Sequence, residues 1–331
     1  MKRNLIWILL AVILVPVILL VFKAGKGEQG TSNLDWPRRD IQVVISAKPG
    51  GGSDTTGRIT NKYLEKELGV NMVTVNVAGA GGSLGARQVK DSKPDGYTIA
   101  YHNDGLVSSY VVGSSDFDYS AFESSNICAV CNNVTFATTK RFPTFEQFVA
   151  YAKNHPGELK YGVQSGNYQE QMAAVLMKDL GINVRIVDVG TVADIIVAMV
   201  GGHIDMTCGP MGTLREYIKS GALVPHGVLA QERNADYPDL PTMKELNVNY
   251  CLPKYFLYYF PLDTPNSIIN KFNQALKKVC ENEDYIADMK AHDFDVCYME
   301  HNETMAYQKD ALEMFEEYQT VLNDYKASVK K

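Results

Sequence analysis

The sequence has little that would draw it to nucleic acid. Its formal net charge is −6, from 32 basic and 38 acidic side chains. No run of Lys and Arg interleaved with aromatics occurs, so there is no basic footprint for a phosphate backbone. Signatures of catalysis are missing as well. There is no Gly-x-Ser-x-Gly elbow and no His-Glu-x-x-His pair. No Gly-Lys-Ser/Thr follows a glycine turn, which excludes a nucleotide phosphate loop. The histidines (His102, His155, His203, His226, His292, His301) show no ligand spacing and read as surface or turn residues. One Cys-x-x-Cys occurs, Cys128-Ala129-Val130-Cys131, inside an apolar strand-like run. Its two side chains then point to opposite faces, and no second pair completes a zinc set, so it reads as core packing. No enzyme activity, cofactor or metal is expected.

Long apolar runs are also scarce. The one present, Leu5 to Phe22, follows the basic Met1-Lys2-Arg3. It reads as an export signal or an uncleaved membrane anchor, residues 1–23. Lys2 and Arg3 would stay cytoplasmic and place the rest outside. Residues 24–35, rich in Gly and polar side chains, read as a linker. Export permits disulfides; sequence does not fix their pairing, and Cys280 with Cys297 is the favoured bridge.

What the chain does have is glycine placed after strands. Pro49-Gly50-Gly51-Gly52-Ser53-Asp54 follows the β-branched run Ile41 to Ile45, and Gly79-Ala80-Gly81-Gly82-Ser83 follows Val73 to Val77. Each precedes a helical stretch, and Ser53 or Asp54 is expected to cap the first. Glycine permits φ > 0 and close approach, and a helix start offers unpaired N–H groups at a positive dipole end. The pair is expected to grip one anionic group, most simply a carboxylate; the alternative is that they are plain strand-to-helix connections. A third polar turn, Gln164-Ser165-Gly166-Asn167-Tyr168, follows Leu159 to Val163.

With 331 residues, 46% hydrophobic and 21% charged, the chain can form two domains. Strands alternate with helices throughout, which predicts an α/β fold with mainly parallel sheets. Ligands then sit beyond the carboxyl ends of strands. Asn103 and Asp104 flank such an end after Tyr97 to His102 and join the candidates. Arg58, on the first helix, is expected in an ion pair. Ile127 to Thr138 is apolar and β-prone.

Four segments resemble the substrate-binding proteins of tripartite tricarboxylate transporters, the TctC or Bug family. They are Trp36-Pro37, the run to Pro49-Gly50-Gly51-Gly52-Ser53-Asp54, Gly79 to Ala86, and Pro94-Asp95-Gly96-Tyr97-Thr98, alike in order and spacing; further on, Gly201-Gly202-His203-Ile204-Asp205 and, loosely, Leu262-Asp263-Thr264-Pro265 resemble family segments too. The resemblance implies a two-domain periplasmic-binding-protein fold, type II-like, with a ligand cleft between domain 1 (36–138 plus 257–331) and domain 2 (139–256). It implies capture of a small carboxylate (a dicarboxylate, tricarboxylate or amino acid) outside the cytoplasm for membrane permease subunits. Backbone contacts carried over fall on Gly51, Gly52, Ser53 and Asp54, and on Ala80, Gly81, Gly82 and Ser83. In domain 2 the matching positions are Ser165, Gly166, Asn167, Asp188, Thr191 and Cys208. There the sequence departs from the family: the third turn lacks its His, Asp188-Val189-Gly190-Thr191 replaces Tyr-x-Gly, and Cys208 stands where an acid is frequent. Asp188, if it faces the cleft, would favour a ligand with a cationic end. Two other readings remain, a membrane-tethered sensor of the same fold and an NAD(P)-binding oxidoreductase. The latter rests on Gly79-x-Gly81-x-x-x-Gly85, with a short helix in an exported chain.

Overall fold

The computed structural model describes residues 35–252 and 254–329. The expected signal or anchor, and all of the linker but Asp35, lie outside the described residues. Among the described residues no helix is long and apolar enough to cross a membrane. All that follows concerns the unit from Pro37 onward.

Two mixed sheets carry the fold. The first contains β1 (Ile41–Ile45), β2 (Met72–Asn76), β3 (Thr98–Asn103), β4 (Phe122–Ser124), β5 (Ile127–Cys131), β11 (Lys254–Pro261) and β12 (Asp295–Met299). Its order is β12-β5-β11-β3-β1-β2, with β4 also on β11. The second contains β6 (Val134–Thr139), β7 (Lys160–Val163), β8 (Arg185–Asp188), β9 (Met206–Pro210) and β10 (Leu223–Val228), in the order β10-β6-β9-β7-β8. The helices are α1 (Gly52–Leu68), α2 (Ser83–Lys90), α3 (Gly105–Val111), α4 (Phe145–Asn154), α5 (Tyr168–Leu180), α6 (Val192–Val200), α7 (Met211–Lys219), α8 (Asn266–Cys280), α9 (Glu283–Ala291) and α10 (His301–Val329).

The expectation of mainly parallel sheets needs correcting. β1 pairs parallel with β2 and β3, and β7 with β8 and β9. β11, β4, β5, β12, β6 and β10 pair antiparallel, because the chain crosses between sheets and returns in reverse. The β-prone run Ile127 to Thr138 forms two strands, β5 and β6, in different sheets. Asn133 marks the break: its side chain donates to Asp293 O at 2.7 Å, and its carbonyl accepts from Met211 N at 3.0 Å. These bonds fit the residue to a crossover rather than a ladder.

The parallel triplets position the candidate residues. Ile45 lies opposite both Asn76 and Tyr101, so β1, β2 and β3 end in line. The turn after β1, the turn after β2 and Asn103-Asp104 therefore share one sheet edge. β7, β8 and β9 do the same for Ser165-Gly166-Asn167, Asp188 to Thr191, and Cys208. Apolar side chains such as Val44, Ala100, Leu257 and Tyr259 fill one core, and Ala137, Ile195, Ile196 and Leu214 another. Helix α10 spans both halves. Its Tyr307 and Gln308 bond to Asp104 and Tyr259 of the first, while Gln319 and Lys326 bond to Gln171 and Glu170 of the second.

All six cysteines are free thiols, so the favoured Cys280–Cys297 bridge is not formed. Cys280, at the end of α8, directs its sulfur toward Cys128 O, 3.6 Å away. Cys128 and Cys131 are buried in β5, as core packing requires.

Candidate functional site

Turn one starts α1 without a side-chain cap. Gly51 occupies the cap position with φ −80°, and neither Ser53 nor Asp54 serves as cap. Asp54 instead reaches backward and inward. Its Oδ2 accepts Gly50 N at 2.9 Å, and its Oδ1 accepts Arg58 Nε at 2.9 Å and Asn76 Nδ2 at 2.8 Å. Burial alone would raise its pKa, but the Gly50, Asn76 and Arg58 contacts outweigh that and hold it below the usual carboxylate value. Asp54 thus shapes the turn with its carboxylate, and Arg58 forms the expected ion pair with it. Asp54→Ala is expected to cost about 2 kcal/mol in urea unfolding of the ligand-free protein, since three donors lose a largely buried acceptor. With the folded pKa below the unfolded one, this contribution is present above about pH 4 and lost as pH falls through the lowered value. The wild-type and variant acid-unfolding curves should therefore converge at low pH.

Ser53 is held from the neighbouring strand end: Asn103 Nδ2 donates to Ser53 Oγ at 3.1 Å, and Asn103 Oδ1 accepts Gly105 N at 2.8 Å. Among the described residues, no protein acceptor takes the N–H of Gly52, Ser53 or Asp54. Gly51 N is turned to Lys48 O at 3.3 Å.

Turn two is four residues in sequence at positive φ: Gly79 (136°), Ala80 (46°), Gly81 (66°) and Gly82 (102°). Ala80 bears the strain of a non-glycine residue there. Gly82 N bonds to Gly79 O at 2.9 Å, while the N–H groups of Ala80 and Gly81 have no protein acceptor among the described residues. Ser83 Oγ donates to Ala80 O at 2.9 Å, so Ser83 ties the turn rather than capping α2. Sequence reasoning missed what braces this turn. Helix α3 places Ser109 Oγ 2.9 Å from Gly81 O, and Ser114 O lies 3.2 Å from Ser83 Oγ. His102, read as a surface or turn residue, is buried beneath Gly82. Burial pushes its pKa down to about 4 and keeps the ring neutral. His226 is likewise buried, bonded to Thr138 Oγ1 at 2.8 Å.

The second sheet brings turn three against turn two. A Cβ built on Gly81 would stand 3.3 Å from Gly166 O, and one on Gly166 would stand 2.7 Å from Ser114 Oγ. Three amides of turn three are given to side chains of its own wall. Gln164 N donates to Gln169 Oε1 at 2.9 Å, Ser165 N to Asp188 Oδ1 at 3.4 Å and Gly166 N to Glu170 Oε1 at 3.4 Å. Asn167 Oδ1 accepts Tyr168 N at the start of α5. Asp188, exposed, also accepts Gly190 N at 3.2 Å, and Thr191 with Asp194 forms a capping box on α6. Asp194 lies within electrostatic reach of Lys48 from turn one.

Two candidates face inward. Cys208 is fully buried, and burial pushes its thiol up to about 12. Asp104 is buried at the start of α3, where its Oδ2 accepts Tyr255 N at 3.0 Å and Tyr307 Oη at 2.9 Å. Gly51 to Asp54, Ala80 to Ser83 and Asn103 are thus brought together, with Ser165 to Asn167 touching them across the second sheet's edge.

The chain matches the family model described as tripartite tricarboxylate transporter family receptor over residues 57–319. It is 27% identical over 248 residues to the UPF0065 protein of the TAR-I ttuE-ttuC' intergenic region of Agrobacterium vitis, covering 73% of this chain and 71% of that one. It is 24% identical over 272 residues to protein BugT of Bordetella pertussis, covering 79% and 83%. Among solved structures, Rpa4515 of R. palustris with adipate superposes with a TM-score of 0.80 at 20% identity, covering 87% of this chain and 99% of that one. MatC of Rhodopseudomonas palustris with bound malate superposes at 0.74 and 22%, covering 87% and 100%. At these identities the structural likeness establishes the fold.

Proposed function

This chain belongs to the tripartite tricarboxylate transporter family of receptors, and we propose that it captures a small carboxylate outside the cytoplasm and passes it to a membrane permease. The two sheets then form the two domains, joined at Asn132-Asn133, at the segment before Lys254 and along α10; β6 belongs with domain 2 and all of β11 with domain 1, which moves the expected bounds at 138/139 and 256/257. The ligand sits between them. It involves no catalysis, and residues 1–23 serve for export or anchoring.

The observation that carries the proposal is the set of five unused N–H groups on adjacent turns, Gly52, Ser53, Asp54, Ala80 and Gly81. Donors of this kind hold a carboxylate without an arginine. Gly51, Gly82, Ser83 and Asn103 act by shaping the turns. The adipate and malate held by two proteins of this fold are of the same ligand class.

A binding-dependent rise in melting temperature tests it. The refolded, ligand-free chain is heated with a panel of mono-, di- and tricarboxylates and amino acids. A ligand at 100 times its Kd adds about 2.7 kcal/mol, which is several degrees for a protein of this size. At least one carboxylate should give that shift; none giving it would end the receptor reading.

A further inference from the structure

Helix α9 ends on a residue that the ending does not favour. Asp293 N bonds to Lys290 O at 3.0 Å and Phe294 N to Met289 O at 3.1 Å, the paired bonds of a Schellman stop. The first residue past the cap of that motif sits at positive φ and is usually glycine. Here it is Asp293, at φ +65°. A side chain is strained there, and a carboxylate is the wrong charge for the negative end of a helix. Two local costs at one residue point to a compensating contact elsewhere.

That contact lies in the half of the molecule built on the second sheet. Asp293 Oδ2 forms an ion pair with Arg215 on α7, with the side chains 12% and 32% exposed respectively. Tyr237 Oη donates to Asp293 Oδ1 at 3.4 Å. Helix α7 starts after Pro210 with no side-chain cap. Gly212 in its first turn leaves room for the carboxylate, since a Cβ built there would stand 3.1 Å from Asp293 Oδ2. Asp293 thus meets a guanidinium and the positive end of a helix together. Lys290, also on α9, adds an ion pair to Asp236 beside Tyr237. This bridge between the halves uses different elements from the Gly81–Gly166 contact.

The other end of the bridge reaches turn one. Phe294 follows Asp293 and is buried. A Cβ built on Gly52 would stand 3.3 Å from its ring, so Phe294 lies against the turn. It also meets Phe256 edge-on, with centroids 5.9 Å apart. Phe256 pairs with Asn103, whose side chain holds Ser53. Two consecutive residues therefore face two ways, Asp293 to α7 and Phe294 to the turn that carries the Gly52 and Ser53 amides. We propose that Asp293 is a positioning residue that latches the second-sheet half onto turn one, so that ligand capture and the Arg215–Asp293 contact strengthen each other. The proposal rests on the receptor reading given above. Reciprocity requires that loss of the latch weaken the ligand as much as the ligand tightens the latch.

Hydrogen exchange on the refolded full chain in mild detergent tests this in the wild type, with and without saturating succinate, malate or adipate. Residues 211–219 and 292–295 should gain protection of about 5-fold or more along with turns one and two, the low end of couplings between sites. Calorimetry with the same acid then reads the variants. Asp293→Gly suits the positive φ and keeps the helix stop. It and Arg215→Met should each weaken binding by about 10-fold, and the double variant by no more than about 3-fold beyond either. Unchanged protection of both segments at saturation overturns the proposal without any variant having to fold. Affinity within about 3-fold of wild type in Asp293→Gly overturns it as well, as do losses that multiply in the double variant. If no carboxylate of the wider panel binds, the receptor reading falls and this proposal with it; binding without protection of α7 and the Asp293 segment overturns the proposal alone.

Discussion

Gly82→Ala is expected to weaken carboxylate binding by at least about 100-fold, equivalent to ~2.7 kcal/mol. Gly82 has φ +102°, where any side chain is strained. An added Cβ would stand 2.3 Å from His102 Nε2 and 3.2 Å from Ser46 O. The His102 ring is buried and fixed at Nδ1 by Asn103 N at 2.8 Å, and Ser46 O is backbone. Neither neighbour can yield cheaply, so the turn itself must move. That displaces the Ala80 and Gly81 amides, which are the donors at issue. Gly69→Ala is the matching control. Gly69 has φ +72° at the end of α1, with nothing within 4 Å of a built Cβ. It should lose about 1 kcal/mol of stability and keep its affinity within about 3-fold. Calorimetry on both proteins reads the difference; equal losses of affinity would attribute the effect to general destabilisation.

The second large effect is a pH dependence. Burial lifts the Asp104 pKa to about 7, against the pull of Tyr255 N–H, Tyr307 O–H and the Lys254 charge. Tyr259 also faces it, with its own pKa raised by burial and by Asp104. An unfolded aspartate titrates near 3.9. Between about pH 4 and 7 the folded protein therefore holds a proton that the unfolded chain has released. Stability from this group is complete below the unfolded value and falls as pH rises through the folded one. A shift of about three units is worth at most about 4 kcal/mol. Asp104→Asn keeps an acceptor for both donors and cannot ionise. Urea unfolding from pH 4 to 8 should show the variant gaining on the wild type by a few kcal/mol as pH rises. Parallel curves would mean that Asp104 titrates normally.

The glycine turns were legible because strand, glycine and helix follow one another in the chain. Which amides stay free was not, because it depends on contacts distant in sequence. Asp54 turned back to Gly50 and Asn76 rather than capping α1, and turn three met side chains of α5 and β8. Helix α3 escaped notice for a physical reason. Leu106-Val107-Ser108-Ser109-Tyr110-Val111 is poor in strong helix formers. Its Ser109 hydroxyl reaches Gly105 O one turn earlier, and the helix is settled by packing against turn two and α10. Strand β12 is half-buried throughout and pairs with β5 through an irregular register, which blurs its alternation. The polar Asn132-Asn133 was a visible sign that β5 and β6 part company.

The central claim is that turn-one and turn-two amides hold the ligand's carboxylate. The most direct measurement is a spectrum of glycine-selective 15N amides in the deuterated, ligand-free chain, titrated with its best-binding carboxylate. Gly52 and Gly81 should move most, in proportion to saturation, while Gly69, Gly113, Gly157 and Gly181, all at positive φ in open surroundings, stay in place. Saturable binding that leaves Gly52 and Gly81 unmoved would contradict the account.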